Sequence, residues 1–144
     1  MPALKTNKYS GFSLIELLIV ISIIGILIAL SFFGFQGARE ASRDAKRKAD
    51  IETIRSGLEL YKSDCNGYPL SLGASLTGDG SNPSCLPGNT YISSVPTDPT
   101  TGVSYPYSSD GVSYTICSTL EQDPAVPDSC APLCAGCNYK TINP

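Results

Sequence analysis

From Phe12 to Phe35 the chain reads FSLIELLIVISIIGILIALSFFGF, and Glu16 is the sole charge in it. Leu, Ile, Val and Phe fall on every face of a helix drawn through this stretch, so it has no amphipathic stripe. At 1.5 Å per residue such a helix is about 36 Å long, enough to cross a hydrocarbon core of about 30 Å. A buried core helix is the plainer alternative, but the rest of the chain is too short to wrap all sides of it. A secretory signal peptide would need small residues just after the apolar run, and Ser31-Phe32-Phe33-Gly34 fits that poorly.

Past Gly34 and Gly37 the pattern turns polar while the composition stays helical. Ala, Arg, Glu, Lys and Leu dominate, and no proline falls between Ala38 and Asp64. Ile51, Ile54, Leu58 and Tyr61 follow i, i+3, i+7, i+10 spacing, which makes one apolar face. Ala38, Ala41 and Ala45 extend that face with small residues. Asp44–Lys48 and Arg55–Glu59 are expected i, i+4 pairs, while Arg39–Arg43 and Glu40–Asp44 repel. The helix is thus expected to run from Phe12 to about Ser63. Gly25, Gly34, Gly37 and Gly57 are its weak points, each costing about 0.5–1 kcal/mol relative to Ala.

Asp64-Cys65-Asn66-Gly67-Tyr68-Pro69 carries stop signals for that helix. Leu70 to Thr90 reads as a loop with at most short structure. Tyr105-Pro106-Tyr107 and Val112 to Cys117 flank Ser108-Ser109-Asp110-Gly111, a hairpin signal, with Pro106 at an edge or strand start. Asn138 to Ile142 is a third strand. The fold class is α+β: one long N-terminal helix packed on a small antiparallel sheet.

Charge and composition narrow the function. The net charge is −3 and histidine is absent, so neither a nucleic-acid footprint nor histidine-based catalysis is expected. Arg39, Arg43, Lys46, Arg47 and Lys48 crowd the start of the polar helix, where they either face water or meet anionic lipid headgroups. From Cys65 onward Lys140 is the lone base, against Asp79, Asp98, Asp110, Glu121, Asp123 and Asp128.

The six cysteines are Cys65, Cys85, Cys117, Cys130, Cys134 and Cys137, all beyond the helix body. An even count in a small Gly/Pro-rich segment points to disulfides and an oxidising compartment. The expected pairing is Cys65 with Cys85, and Cys117 with one of the last three. A zinc site built on Cys130-x3-Cys134-x2-Cys137, with Cys117 as fourth ligand, is the competing reading. It would make the chain a membrane-anchored zinc or redox protein.

Gly11 separates a polar leader (Lys5, Thr6, Asn7, Lys8, Tyr9, Ser10) from Phe12, and a protease can approach a glycine backbone closely. The run Lys8 to Ile21, with Gly11-Phe12-Ser13-Leu14-Ile15-Glu16 at its heart, resembles the class III signal of type IV pilins and type II secretion pseudopilins. The resemblance implies cleavage between Gly11 and Phe12 by a prepilin peptidase, then N-methylation of Phe12. It also implies a role for Glu16, since a carboxylate costs about 2.5–3.5 kcal/mol at a membrane helix centre, less near the interface. Glu16 would pair with the Phe12 amine of a neighbouring subunit and so set axial register; the bland reading is that it snorkels to headgroups. Tyr61-Lys62 with Gly67-Tyr68-Pro69, and Tyr91 to Pro99, are similar to the family's helix exit and pre-sheet loop. The family's helix often melts between a glycine and a proline, but no proline follows Gly25 in the apolar stretch. Resemblance to major pseudopilins suggests calcium in the head, with Asp110, Asp123 and Asp128 as oxygen donors, but no ordered ligand spacing accompanies them, so they read as solvated loop acids and no cofactor is expected.

The organisation expected is a leader at 1–11, a transmembrane and assembly helix at 12–35, its amphipathic continuation at 36–64, and a disulfide-stapled head at 65–144. The leading functional reading is a type IV pilus subunit for adhesion, motility or DNA uptake; the alternative is a pseudopilin of a type II secretion system. Either way the chain is structural and not an enzyme. Its partners are identical or homologous subunits, the prepilin peptidase, an inner-membrane assembly platform and the bilayer. Flanking Lys/Arg counts alone would keep the head in the cytoplasm. The cysteines and the processing motif place it outside, on a bacterial cytoplasmic membrane or in a periplasmic or extracellular filament.

Overall fold

The computed structural model of the chain describes residues 11–122 and 130–143, the side chains of residues 32–34 excepted. One helix, α1, spans Leu14–Cys65. Five short strands follow: β1 (Leu76–Thr77), β2 (Thr90–Ile92), β3 (Tyr107–Ser109), β4 (Tyr114–Ser118) and β5 (Tyr139–Ile142). β1 and β2 form an antiparallel pair, and β3-β4-β5 an antiparallel sheet in that order. The chain divides into two compact units, residues 1–38 and 39–144.

The described part of the first unit is helical from Leu14 onward and has no core. Its large apolar side chains stand in the open: Ile15 is 66% exposed and Ile24, near the middle, 49%. Ser22 and Ser31 turn their hydroxyls back onto the carbonyls of Leu18 and Leu27, so neither leaves a polar group unpaired. A surface of this kind is untenable in water and suits lipid or other apolar helices.

The second unit holds the core. Ile51, Ile54 and Leu58 of α1 are fully buried, with Tyr61 nearly so. They meet Leu76, Ile92, Val95, Tyr105, Tyr114 and Ile116 from the loops and strands. Helix α1 ends at Cys65; the next residue, Asn66, still donates its N–H to the Lys62 carbonyl (3.0 Å) and turns the chain away with a left-handed backbone (φ 60°), a conformation asparagine tolerates better than most residues. The chain after the helix is tied to the hairpin by Tyr68 N–H to the Gly111 carbonyl (2.8 Å) and by the Tyr107 hydroxyl to the Pro69 carbonyl (2.7 Å).

Several expectations need correction. The alanine extension of the apolar face does not form: Ala41 and Ala45 are exposed, and Asp44, Arg47 and Asp50 are buried instead. The i, i+4 pairs do not form either. Arg47 takes Asp44, and Glu59 accepts the Tyr68 and Tyr114 hydroxyls, leaving Arg55 to Glu52. Strand β3 sits two residues later than expected, and β4 begins two residues later and ends one later, with Ser109 opposite Tyr114. Pro106 lies just before β3, and Asp110 shapes the turn by accepting the N–H groups of Val112 (2.9 Å) and Ser113 (2.7 Å). The segment Leu70 to Thr90, in contrast, agrees with the expectation of at most short structure: it holds two-residue β1 and the first residue of β2.

Candidate assembly site and the clasp of the head

Phe12 is 92% exposed, and Gly11 has nothing within 4 Å of where a side chain would begin. The bond between them is open to a protease. Helix α1 begins two residues later. Glu16, in its first turn, accepts the Ser13 N–H at 2.9 Å. This is half of a capping box, in which an acid at the third helical position reaches back to the cap residue. The carboxylate is therefore held at the helix start, with capacity left to accept from a second donor. The leader through Ser10 lies outside the described residues.

The six cysteines form three disulfides, Cys65–Cys85, Cys117–Cys130 and Cys134–Cys137. No cysteine is free, so this bonding leaves no thiolate for the zinc site. Asp79 approaches Cys65 and Cys85, but both sulfurs there are spent on each other. Of the three acids considered for calcium, Asp110 is occupied by its own turn; Asp123 and Asp128 lie outside the described residues.

Within the basic stretch, Arg47 neither faces water nor stands open to lipid headgroups. Arg47 is 4% exposed. It donates to Asp98 (2.6 Å), Asp44 (2.8 Å), Glu121 (2.8 Å) and the Thr100 hydroxyl (2.9 Å). Asp44 also accepts the N–H groups of Glu121 (2.9 Å) and Gln122 (2.8 Å), and Arg43 adds a further ion pair to Glu121. The signal was present in the spacing. Asp44 and Arg47 precede Ile51 by seven and four, in phase with Ile54, Leu58 and Tyr61, so the inward face simply changes from apolar to charged.

Electrostatics follow from these contacts. Arg43 first, then Arg47, hold the Glu121 carboxyl down to about 2. The Arg47 hydrogen bond drives Asp98 well below the usual carboxylate range, against the opposing effect of burial. Burial raises Asp44, but the Gln122 and Glu121 N–H groups and Arg47 outweigh it and leave it lowered. Arg47 is raised, chiefly by Asp98. The arrangement is a clasp between the helix and the segments around Asp98 and Glu121.

Two family descriptions match the chain. Residues 6–32 match a prokaryotic N-terminal methylation motif, and residues 35–124 match type II secretion system protein G. Core protein G of the type II secretion system of Vibrio cholerae is 34% identical over 119 residues, covering 78% of this chain and 79% of that protein. The Aeromonas hydrophila protein of the same description is 35% identical over 68 residues, and the Escherichia coli one 36% over 66. These shorter matches cover 47% and 46% of this chain, and with 48% and 46% of the relatives the chain spans about half of their length. No solved structure gives a significant match. The methylation motif falls on the exposed apolar helix and the protein G match on most of the clasped head: the chain belongs to the type II secretion system protein G family, within the wider class of type IV pilin-like proteins.

Proposed function

We propose that this chain is a pseudopilin, a structural subunit of a short periplasmic filament in a type II secretion machine. The supporting observation is the bare apolar helix with one carboxylate, Glu16, held at its first turn four residues after Phe12. Cleavage after Gly11 exposes a positive amine on Phe12, which is then methylated. The segment 12–35 first dwells in the cytoplasmic membrane, then packs against the same segment of other subunits. Residues 36–64 continue the rod, and the head, 65–144, coats the filament on the periplasmic side. The Phe12 amine of an incoming subunit bonds the free capacity of Glu16 on its neighbour, since each charge in a dry helix bundle needs a partner. Partners are other pseudopilins, the prepilin peptidase and the inner-membrane platform. The relatives are described as core proteins of their systems, which supports a principal subunit here as well. The pilus reading, favoured by the first residues alone, yields to the protein G match.

The test has two arms. Mass analysis of the protein from membranes should find a chain starting at Phe12 with one methyl group on its amine. Deleting the coding region should abolish secretion of exoproteins into the medium while leaving long surface filaments unchanged by microscopy. A mature chain that begins at Met1, or normal secretion with loss of surface filaments, overturns the proposal.

A further inference from the structure

We propose that the Cys134–Cys137 bridge is a thiol–disulfide exchange site, opened by a dithiol while the other two bridges stay closed. This is independent of the secretion role. Three observations separate this bridge from its companions.

The first is reach. Cys85 and Cys117 are fully buried and Cys130 is 4% exposed, so the Cys117–Cys130 bridge offers neither sulfur. Cys134 is half-buried, and with Cys137 it lines a cleft of about 440 Å³ together with Val103, Pro106 and Thr119. The acids of that cleft, Asp98 and Glu121, are already matched by Arg47 and Arg43. Cys65 is also half-buried, but an attacking thiolate meets negative charge there. Asp79 lies 3.0 Å from the Cys85 sulfur, and Asp64 holds the Tyr91 hydroxyl that sits 3.9 Å from the Cys65 sulfur.

The second is what the bridge holds. The partners of the three bridges are 20, 13 and 3 residues apart in sequence. The stabilisation a disulfide gives falls with the length of the loop it closes. The turn at Gly136 (φ 93°) already brings Cys134 and Cys137 together. Beyond it, β5 is anchored without sulfur. Asn138 bonds both backbone groups of Leu120 (2.7 and 3.0 Å), and Tyr139 pairs with Ser118. Opening the bridge leaves the sheet in place.

The third is polarity. The Thr119 hydroxyl lies 3.7 Å from the Cys137 sulfur and donates to it. That contact supports negative charge on Cys137 and marks it as the leaving sulfur, with the more exposed Cys134 as the one attacked. One thiolate of the dithiol bonds to the Cys134 sulfur. The Cys134–Cys137 bond breaks, and its electron pair departs on Cys137, which then takes a proton. The second thiolate of the reagent attacks its own sulfur in the mixed disulfide and releases Cys134, which is protonated in turn. The dithiol ends as a disulfide and the protein gains two electrons.

The experiment uses the processed full-length chain in detergent micelles, treated with graded dithiothreitol, trapped with N-ethylmaleimide and mapped by mass spectrometry. Cys134 and Cys137 should label first, at least about tenfold faster than the other four. Glutathione carries no second thiol of its own, so once N-ethylmaleimide has blocked the freed Cys137 its adduct should be found on Cys134. The double variant Cys134→Ala, Cys137→Ala should lose the fast phase and keep the other two bridges. Labelling of Cys65 and Cys85 first, simultaneous labelling of all six, or an adduct on Cys137 overturns the proposal.

Discussion

Arg47 carries charge at a position where packing alone would be served by an aliphatic residue. Its stem continues the buried face of α1 and its guanidinium finds carboxylates on Asp44, Asp98 and Glu121. Replacing it with Met keeps the volume and strands those carboxylates without a cation. Breaking one side of a buried ion cluster costs about 3–5 kcal/mol, and the partial exposure of Glu121 places Arg47→Met near the lower end. Urea unfolding followed by tyrosine fluorescence should show that loss, with Arg47→Lys intermediate. The lowered carboxyls also give a pH signature. An acid whose folded pKa is depressed stabilises fully above its unfolded value and loses that contribution as pH falls through the folded one. Asp44, Asp98 and Glu121 should therefore stabilise the head above about pH 4.5 and release it as pH drops toward 2. Glu121→Gln should flatten that acid limb in a pH series of unfolding midpoints. The role of Arg47 was legible only as phase: residue type suggested a wet surface, and the heptad-like spacing to Ile51 and Leu58 pointed inward.

At the scale of elements, the core face of α1 could be read directly, because Ile51, Ile54, Leu58 and Tyr61 recur at helical spacing and all are buried. The close approach of β2 to that helix could not. A Cβ at Gly57 would stand 2.2 Å from Ile92 Cγ1. In the sequence Gly57 is indistinguishable from a tolerated helix glycine, since nothing nearby tells which strand will cross it. Gly57→Ala gains helix propensity, yet it must displace Ile92; overpacking of this kind costs about 1–3 kcal/mol. Combining it with Ile92→Ala should recover part of the loss, and a double-mutant cycle on urea midpoints measures the coupling. Strand positions were legible to within about two residues, the usual uncertainty at element ends. Asp110 accounts for the shift in β3-β4, because its side chain organises the turn further along than the Asp-Gly pair suggests. The charge pairs expected at i, i+4 failed for a related reason. Propensity rules treat a helix as isolated, whereas Asp44 and Glu59 found partners on the rest of the head.

Across the whole molecule, two units make opposite demands on their surroundings. The first exposes apolar side chains on all sides, and the second buries its own core and staples it. Within the first, the apolar helix was legible from the sequence, since a long apolar run with a solitary acid has few physical solutions. The pairing of the cysteines was legible only in part, because bridging depends on which loops meet. In the proposed role Glu16→Ala should leave cleavage and methylation intact while cutting filament yield severely, as judged by sedimentation of sheared fibres. Normal yield from that variant would remove Glu16 from the assembly step. The clasp on Arg47 bears on this role in a mechanical way. Greasy contacts slide under shear, each lost neighbour being replaced by the next, whereas multidentate ion pairs hold one position or let go. A subunit hauled out of lipid by its rod would thus drag its head without slippage, and traction beyond the clasp's strength would release it in a single abrupt step.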